Sequence, residues 1–420
     1  MLHEIKPGEL SGEIKMPASK SFVQRFIAAS VLADGMSLIH NPGRSEDVLA
    51  AMAVAKTLGA YARTLSNGDM MIQPGTDFRG GELFCRESGL CARMYAPIVG
   101  LFGKDFSING YRSLKRRHLL YELKQLEQFG LTIRAENENI PIFFSGKLHA
   151  AGTSIDAGRS SQLLTGLLMA LPTCDADSHI EARNLVSKPY VDMTTDILQR
   201  FGVIINGDGS DYQIPGNQKY RPHECVAETD WSATANIMVA AAICGDLDIQ
   251  NVNFSSQQAD IIILDVFEKA GINYSKISDT VLRVKKSRPK AFSLDLTDAP
   301  DLFPAIIPLA LKSGGPCRFT NINRLINKES NRLKAVIREY GKMGAKFDFV
   351  ADNEVVLYPG QLSYSDVNSW GDHRIVMSLA IAGIANKGVK IHDSGHVAKS
   401  WPEFFTALKK AGGKIRAHLR

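Results

Sequence analysis

Six segments in which an amphipathic run ends in glycine and an apolar stretch follows recur along this chain at a nearly constant step. KTLGAYA, EQFGLTI, QRFGVII, EKAGINY, GKMGAKF and KKAGGKI place their glycines at 59, 130, 202, 271, 344 and 412. The successive differences are 71, 72, 69, 73 and 68, against 420/6 = 70. A glycine just beyond a helix can take the left-handed conformation, so each one predicts a helix end that leads into a strand. Self-similarity at a fixed step is the mark of a repeated supersecondary unit. A second series runs in phase with the first. Apolar helices are expected to begin near Ser19, Ser88, Ser160, Asp230, Pro300 and Gly371, with bodies such as LLTGLLMALP, IMVAAAIC and LFPAIIPLALK. A helix apolar on every face is a buried one. Each unit then holds a surface helix, a buried helix and several short strands, which is a layered α/β architecture.

At 420 residues the chain is longer than one hydrophobic core usually serves, so two domains of three units each are expected. The balance of 45% hydrophobic and 22% charged residues is that of a globular protein and excludes a disordered one. A net charge of +5, spread evenly, is too small to argue for a nucleic-acid partner. The longest apolar stretches, such as 375–385, are about half of the roughly 20 residues a membrane span needs, and the N-terminus has no targeting character. Six scattered cysteines (85, 91, 174, 225, 244 and 317) form no CxxC pair, which fits reduced thiols in the cytoplasm and no zinc site.

The chemistry is concentrated at the starts of the buried helices. The first three units offer SKSFVQR, ESGLCAR and RSSQLL; the last three offer TDWSAT, APDLFP and GDHRIV. Ser and Asp there are ordinary N-caps. Lys20, Arg25, Arg93, His373 and Arg374 cap nothing, yet all fall in the first turns of apolar helices. Basic residues beside helix N-termini make anion sites. The simplest arrangement has the two sets of buried helices pointing their N-termini into one shared cleft. Four further clusters read as surface features when taken singly. GYRSLKRRH (110–118) is a basic loop, and SKPYVDMT (187–194) is a helix start with proline near N1. The NKESNRL stretch puts Lys328, Glu329 and Arg332 in one turn opening a helix, and Lys399 stands just before a Ser-x-Pro helix start. Together they point to phosphate and carboxylate chemistry. No nucleotide loop, dinucleotide fingerprint, zinc-protease or hydrolase motif is present, and neither a metal nor a cofactor is implied.

PASKSFVQR, GRSSQLLTGLLMALP, VSKPYVDMT, APDLFPAIIPLAL, INKESNRL, GDHRIVMSLAIAG and AKSWPEFF resemble, in order and spacing, the 5-enolpyruvylshikimate-3-phosphate synthase family. The resemblance covers Pro17 to Phe405. It implies two inside-out α/β domains of three repeats, one from 1–18 plus 229–420 and an inserted one from 19–228, with hinges near 18–20 and 226–230. It implies transfer of the enolpyruvyl group of phosphoenolpyruvate to shikimate 3-phosphate by a cytoplasmic monomer without cofactor. By resemblance, Lys20, Ser21, Arg25, Ser160, Ser161, Gln162, Ser187, Asp301 and Lys328 would contact shikimate 3-phosphate. Lys20, Gly89, Arg117, Gln162, Arg332, Arg374 and Lys399 would contact phosphoenolpyruvate. Asp301 would accept the proton of the attacking hydroxyl and Glu329 would protonate the methylene, with Lys20 also at the reacting centre.

The sequence departs from the family pattern in a few places. The usual NAGTxxRP stretch is here ESGLCARM (87–94), with Glu87, Leu90 and Met94 in place of Asn, Thr and Pro. By resemblance, that change predicts weaker inhibition by glyphosate. Arg324 stands where the family often has Asn, His118 where it has Pro, and Asn331 where it has Asp. Two other readings stay open. One is a weak or inactive paralogue that binds a shikimate-like ligand, motivated by ESGLCARM. The other is a UDP-N-acetylglucosamine enolpyruvyl transferase, disfavoured because Ser21 follows the N-terminal Lys and Cys91 falls in a helical run.

Overall fold

All six repeat glycines adopt left-handed backbone, with φ between +67° and +100°. A Cβ in that region is strained, so glycine is what lets each chain segment turn out of its helix. The computed structural model describes residues 1–75, 78 and 80–418. Five of the six glycines lead into the expected strand: Tyr61–Thr64, Leu131–Ala135, Tyr274–Ser278, Lys346–Ala351 and Ile415–His418. The third is a correction. Between Gly202 and the strand Asp211–Ile214 the chain makes only an isolated bridge, Asn206 to Gln213, where a strand is expected. The Asn206–Gly207–Asp208–Gly209 run breaks the apolar stretch within a few residues, and glycine and aspartate are poor strand formers. The run before Gly130 also differs from an α-helix: Lys124–Phe129 is 3-10.

The strands form six small sheets. In the second unit, Gly81–Phe84 lies parallel to Phe106–Asn109. Ile142–Gly146 then pairs antiparallel with Phe106–Asn109 and with the outer strand Leu131–Ala135. The same first–second–fourth–third order recurs in the fifth unit. In both, the buried helix is the crossover that joins the two parallel strands. The third sheet has three strands because the one expected after Gly202 is missing.

Internal contacts divide the chain into one unit of Met1–Pro17 with Glu228–Arg420 and another of Ala18–Ala227. Sheet register shows why the N-terminal segment belongs with the second half of the sequence. Leu2–Ile5 lies between Val389–His392 and Ile415–His418, and Leu10–Lys15 pairs parallel with Gly245–Gln250. Glu224–Val226 pairs parallel with Ser37–His40. The first unit packs the buried helices Trp231–Cys244, Leu302–Leu311 and His373–Ala385 against one another. Every residue of the first two is buried, and each large apolar side chain so placed contributes about 1.5–3 kcal/mol.

The second unit likewise buries Lys20–Leu32, Gly89–Gly100 and Gln162–Ala170, with Gly89–Gly100 packed on both of the others. The last two approach so closely that a Cβ on Gly166 would lie 2.5 Å from the Met94 carbonyl oxygen and 2.6 Å from Pro97. Both obstacles are rigid. Gly166→Ala is therefore expected to cost about 1–3 kcal/mol or more, read as a fall in the unfolding midpoint. An unchanged Tm would show that the two helices can separate without loss.

Candidate active site

Six residues hold the N-cap positions of the buried helices, and four of them cap. Ser19, Ser88, Asp230 and Asp372 each accept a first-turn backbone N–H on the side chain. Asp301 and Ser161 make no such bond. Asp301 gives its two oxygens to guanidinium groups instead, Oδ1 to Arg332 and Oδ2 to Arg374 at 2.7 Å. Arg332, with its side chain 1% exposed, also donates to Glu329 at 2.5 Å and, through Nε, to Asp372 at 2.8 Å. One buried fork therefore holds three carboxylates. Asp372 is fixed in turn by the Ser330 hydroxyl at 3.1 Å and the Arg374 N–H at 3.0 Å.

Charge in this cluster is uneven. Burial alone would raise the Asp301 carboxyl, but Arg374, Arg332 and Lys328 outweigh it and hold it well below the usual range. Burial pulls Lys328 down to about 8, with Arg324 and Arg332 adding to the effect and Asp301 and Glu329 opposing it. Arg324 donates to the Thr297 carbonyl at 3.2 Å. Two sequence expectations are corrected here. The helix opens at Arg332, capped by Asn331 on the Lys334 N–H, so Lys328 and Glu329 stand in the turn before it. Lys399 ends a 3-10 segment, Ser394–Lys399, packed on the His373–Ala385 helix; the next helix starts only at Phe404. The bulky Trp401–Pro402 pair follows Lys399, and Trp401 packs its ring on Phe404.

The other unit gathers its own set. Lys20, at the first position of its helix, pairs with Asp47 at 2.6 Å, and both are buried. Arg25 donates to Thr194 at 2.8 Å, Thr165 at 3.4 Å and the Ser21 carbonyl at 3.0 Å, and its guanidinium lies over the Tyr190 ring. Ser160 accepts from the Gln162 N–H at 3.2 Å, and Ser161 is buried beside it. The Gln162 side chain accepts from Arg93 at 3.2 Å, while Arg93 forks onto Glu122. Ser187 adopts left-handed backbone, φ +56°, just before the helix Lys188–Arg200. Gly89 is where Arg117 arrives: a Cβ there would lie 2.1 Å from Arg117 Nη1 and 2.9 Å from Arg93 Nη1. Glu87 accepts from the Ser113 hydroxyl at 2.6 Å and backbone N–H at 3.1 Å. Thus Lys20, Arg25, Gly89, Arg117, Ser160, Ser161, Gln162 and Ser187 all belong to this unit. Asp301, Lys328, Glu329, Arg332, Arg374 and Lys399 belong to the other.

Among the described residues, no group of three or more His, Cys, Asp or Glu is arranged to hold a metal ion. Nor is any described helix long and apolar enough to cross a membrane. Sequence reasoning missed Asp47, Glu122 and the partnership of Asp372 with Arg332. Asp47 and Glu122 lay in runs that read as helix surface, and Asp372 read only as a cap.

The family model for EPSP synthase (3-phosphoshikimate 1-carboxyvinyltransferase) matches residues 5–408. The chain belongs to the EPSP synthase family. A 3-phosphoshikimate 1-carboxyvinyltransferase of Clostridium novyi is 33% identical, covering 98% of each chain. In fold, this EPSP synthase family member is similar to the EPSP synthase of Acinetobacter baumannii, with a TM-score of 0.83 at 22% identity over 99% of this chain and 100% of that one. It is also similar to the enolpyruvyl transferase NikO of Streptomyces tendae, with a TM-score of 0.79 at 15% identity over 99% and 98%. These likenesses agree with the mixed α/β reading of the sequence.

Proposed function

We propose that this chain transfers the enolpyruvyl group of phosphoenolpyruvate to the 5-hydroxyl of shikimate 3-phosphate and releases phosphate. The observation that carries the reading is the sharing of one buried guanidinium, Arg332, by Asp301 and Glu329. Addition to an enol phosphate needs an acid at the methylene and a base at the hydroxyl, and elimination of phosphate to leave the enol ether reverses the two roles. Glu329 is assigned the first role and Asp301 the second. While two guanidinium groups hold Asp301, its carboxylate is a poor proton acceptor. An arriving phosphate and carboxylate draw Arg332 and Arg374 towards themselves, so Asp301 gains basicity only when the substrate is bound.

Lys20, Ser21, Arg25, Ser160, Ser161, Gln162, Ser187 and Lys328 are assigned to shikimate 3-phosphate. Lys20, Gly89, Arg117, Gln162, Arg332, Arg374 and Lys399 are assigned to phosphoenolpyruvate, with Lys20 shared between the two at the reacting centre. The phenol face of Tyr190 beneath Arg25 supports a fixed guanidinium. The enzyme is assigned as a monomer without a cofactor or a macromolecular partner, and six free cysteines support a reducing compartment, the cytoplasm.

Phosphate release from the two substrates together, compared with each alone and with UDP-N-acetylglucosamine as acceptor, tests the reading. Release only with shikimate 3-phosphate is the expected result; none with either acceptor would leave a binding paralogue. Gly89→Ala gives a sharper check on the phosphoenolpyruvate side. Its methyl must displace the Arg117 guanidinium. The KM for phosphoenolpyruvate is expected to rise about tenfold, or about 1.4 kcal/mol, with a smaller change in kcat. An unmoved KM would remove Gly89 and Arg117 from the site.

A further inference from the structure

One buried carboxylate beside Asp301 has no part in the scheme above. Asp260 lies in the 3-10 helix Ala259–Ile262, packed on the core helix Trp231–Cys244, and is 0% exposed. Its Oδ2 accepts from the Ser232 hydroxyl and stands 4.0 Å from Arg374 Nη1. Its Oδ1 has no hydrogen-bond partner among the described residues, and neither does Arg374 Nε. A buried oxygen and a buried N–H left without partners are each costly. The same guanidinium is the one that donates to Asp301 at 2.7 Å. Arg374 thus stands between two carboxylates, engaged by one and approached by the other.

We propose that Asp260 is a positioning residue whose protonation state decides how much of Arg374 is available to Asp301 and to an incoming anion. The inference rests on the proposed function, in which Arg374 receives the substrate. Protonated, Asp260 leaves the full positive charge of Arg374 to the other two. Ionised, it competes for that charge and weakens the hold on the anion. The charged and polar groups that face it are Ser232 and Asp230 from the Trp231–Cys244 helix, Asp301 from the start of Leu302–Leu311, and Arg374 from His373–Ala385. Burial first, then the charges of Asp301 and Asp230, push the carboxyl up to about 7 against the opposing pull of Arg374 and Ser232. The residue therefore changes charge within the range where such an enzyme works.

The test is the KM for phosphoenolpyruvate from pH 5.5 to 9 in the wild type, Asp260→Asn and Ser232→Ala, with phosphate release as the assay. Ionisation of the substrate phosphates near pH 6 affects all three proteins alike and cancels in their ratios. Wild-type KM is expected to climb through neutrality by up to roughly tenfold per pH unit, the limit for one coupled proton. In Asp260→Asn the part of that climb centred near neutrality should vanish, leaving only the changes that the substrate and Lys328, at about 8, impose on all three proteins. In Ser232→Ala it should move to higher pH, because the hydroxyl that favours the carboxylate is gone. A merely structural role would lower kcat or Tm at every pH without moving the break. If Asp260→Asn folds and keeps the wild-type break, the inference is overturned. If it does not fold, Ser232→Ala decides, and an unmoved break overturns it there. A wild type that releases no phosphate at any pH removes the proposed function and this inference with it, whereas turnover with an unmoved break removes only the inference.

Discussion

Asp301→Asn is expected to lower kcat by about 10²–10⁴-fold, the usual worth of a positioned general base, while the KM for phosphoenolpyruvate stays level or falls. The direction of KM follows from the geometry. Asp301 occupies one nitrogen of Arg332 and one of Arg374, and its charge competes with any anion for both. An amide of the same shape still accepts one N–H but releases most of that electrostatic hold. Folding should survive, since Arg332 keeps Asp372 and Glu329. A loss of base with no loss of binding places the effect in the transition state. Steady-state kinetics at saturating shikimate 3-phosphate gives both constants. Retention of a tenth or more of kcat, or a raised KM at unchanged kcat, would end the assignment of Asp301 as the base.

Much of the architecture was legible because it repeats. A glycine that must turn left-handed at the end of each surface helix leaves the same mark six times, and all six take that conformation. A helix buried on every side can have no polar face, so the core helices also announced themselves. The missing strand after Gly202 was not legible, because Val203–Ile204–Ile205 is as apolar as its counterparts and only the following Gly–Asp–Gly shortens it. Of the site, the residue types were readable and the partnerships were not. Asp301 and Asp372 both occupy cap positions in sequence, and only the structure separates them: Asp372 caps and also holds Arg332, whereas Asp301 does no capping. Ion pairs such as Lys20–Asp47 and Arg93–Glu122 span 27 and 29 residues. Nothing in a surface helix's own pattern distinguishes the acid that reaches inward from those that face water. Asp260 was invisible for the same reason, since it sits in an irregular turn where no periodicity constrains the side chain.

Arg332→Met is expected to produce the largest loss of stability of any change in the site, and to produce it in a pH-dependent way. The side chain is 1% exposed and its three nitrogens serve Asp301, Glu329 and Asp372, of which Asp372 is 0% exposed. Methionine fills much of the volume, so cavity formation is minor and the missing charge dominates. Removing one partner from a buried ionic cluster costs about 3–5 kcal/mol, because the remaining charges are stranded. For a unit of this size, that is on the order of a 10 °C fall in Tm. The pH dependence follows from Asp301. In the wild type its folded carboxyl is held below the ordinary value, so its contribution is present above the unfolded pKa and is lost as pH falls through the folded one. Without Arg332 much of that hold is gone, and stranded carboxylates protonate at higher pH. The gap in Tm between wild type and variant should therefore be wide at pH 8, still wide at about pH 5, and narrower only by about pH 3, below the unfolded carboxylate value. Arg332→Lys separates charge from shape, since an ammonium restores the charge but cannot fork across three carboxylates; its Tm should fall between the other two. Equal losses at the highest and lowest pH, or a lysine variant no better than methionine, would show that Arg332 stabilises the fold through packing and that its charge is incidental.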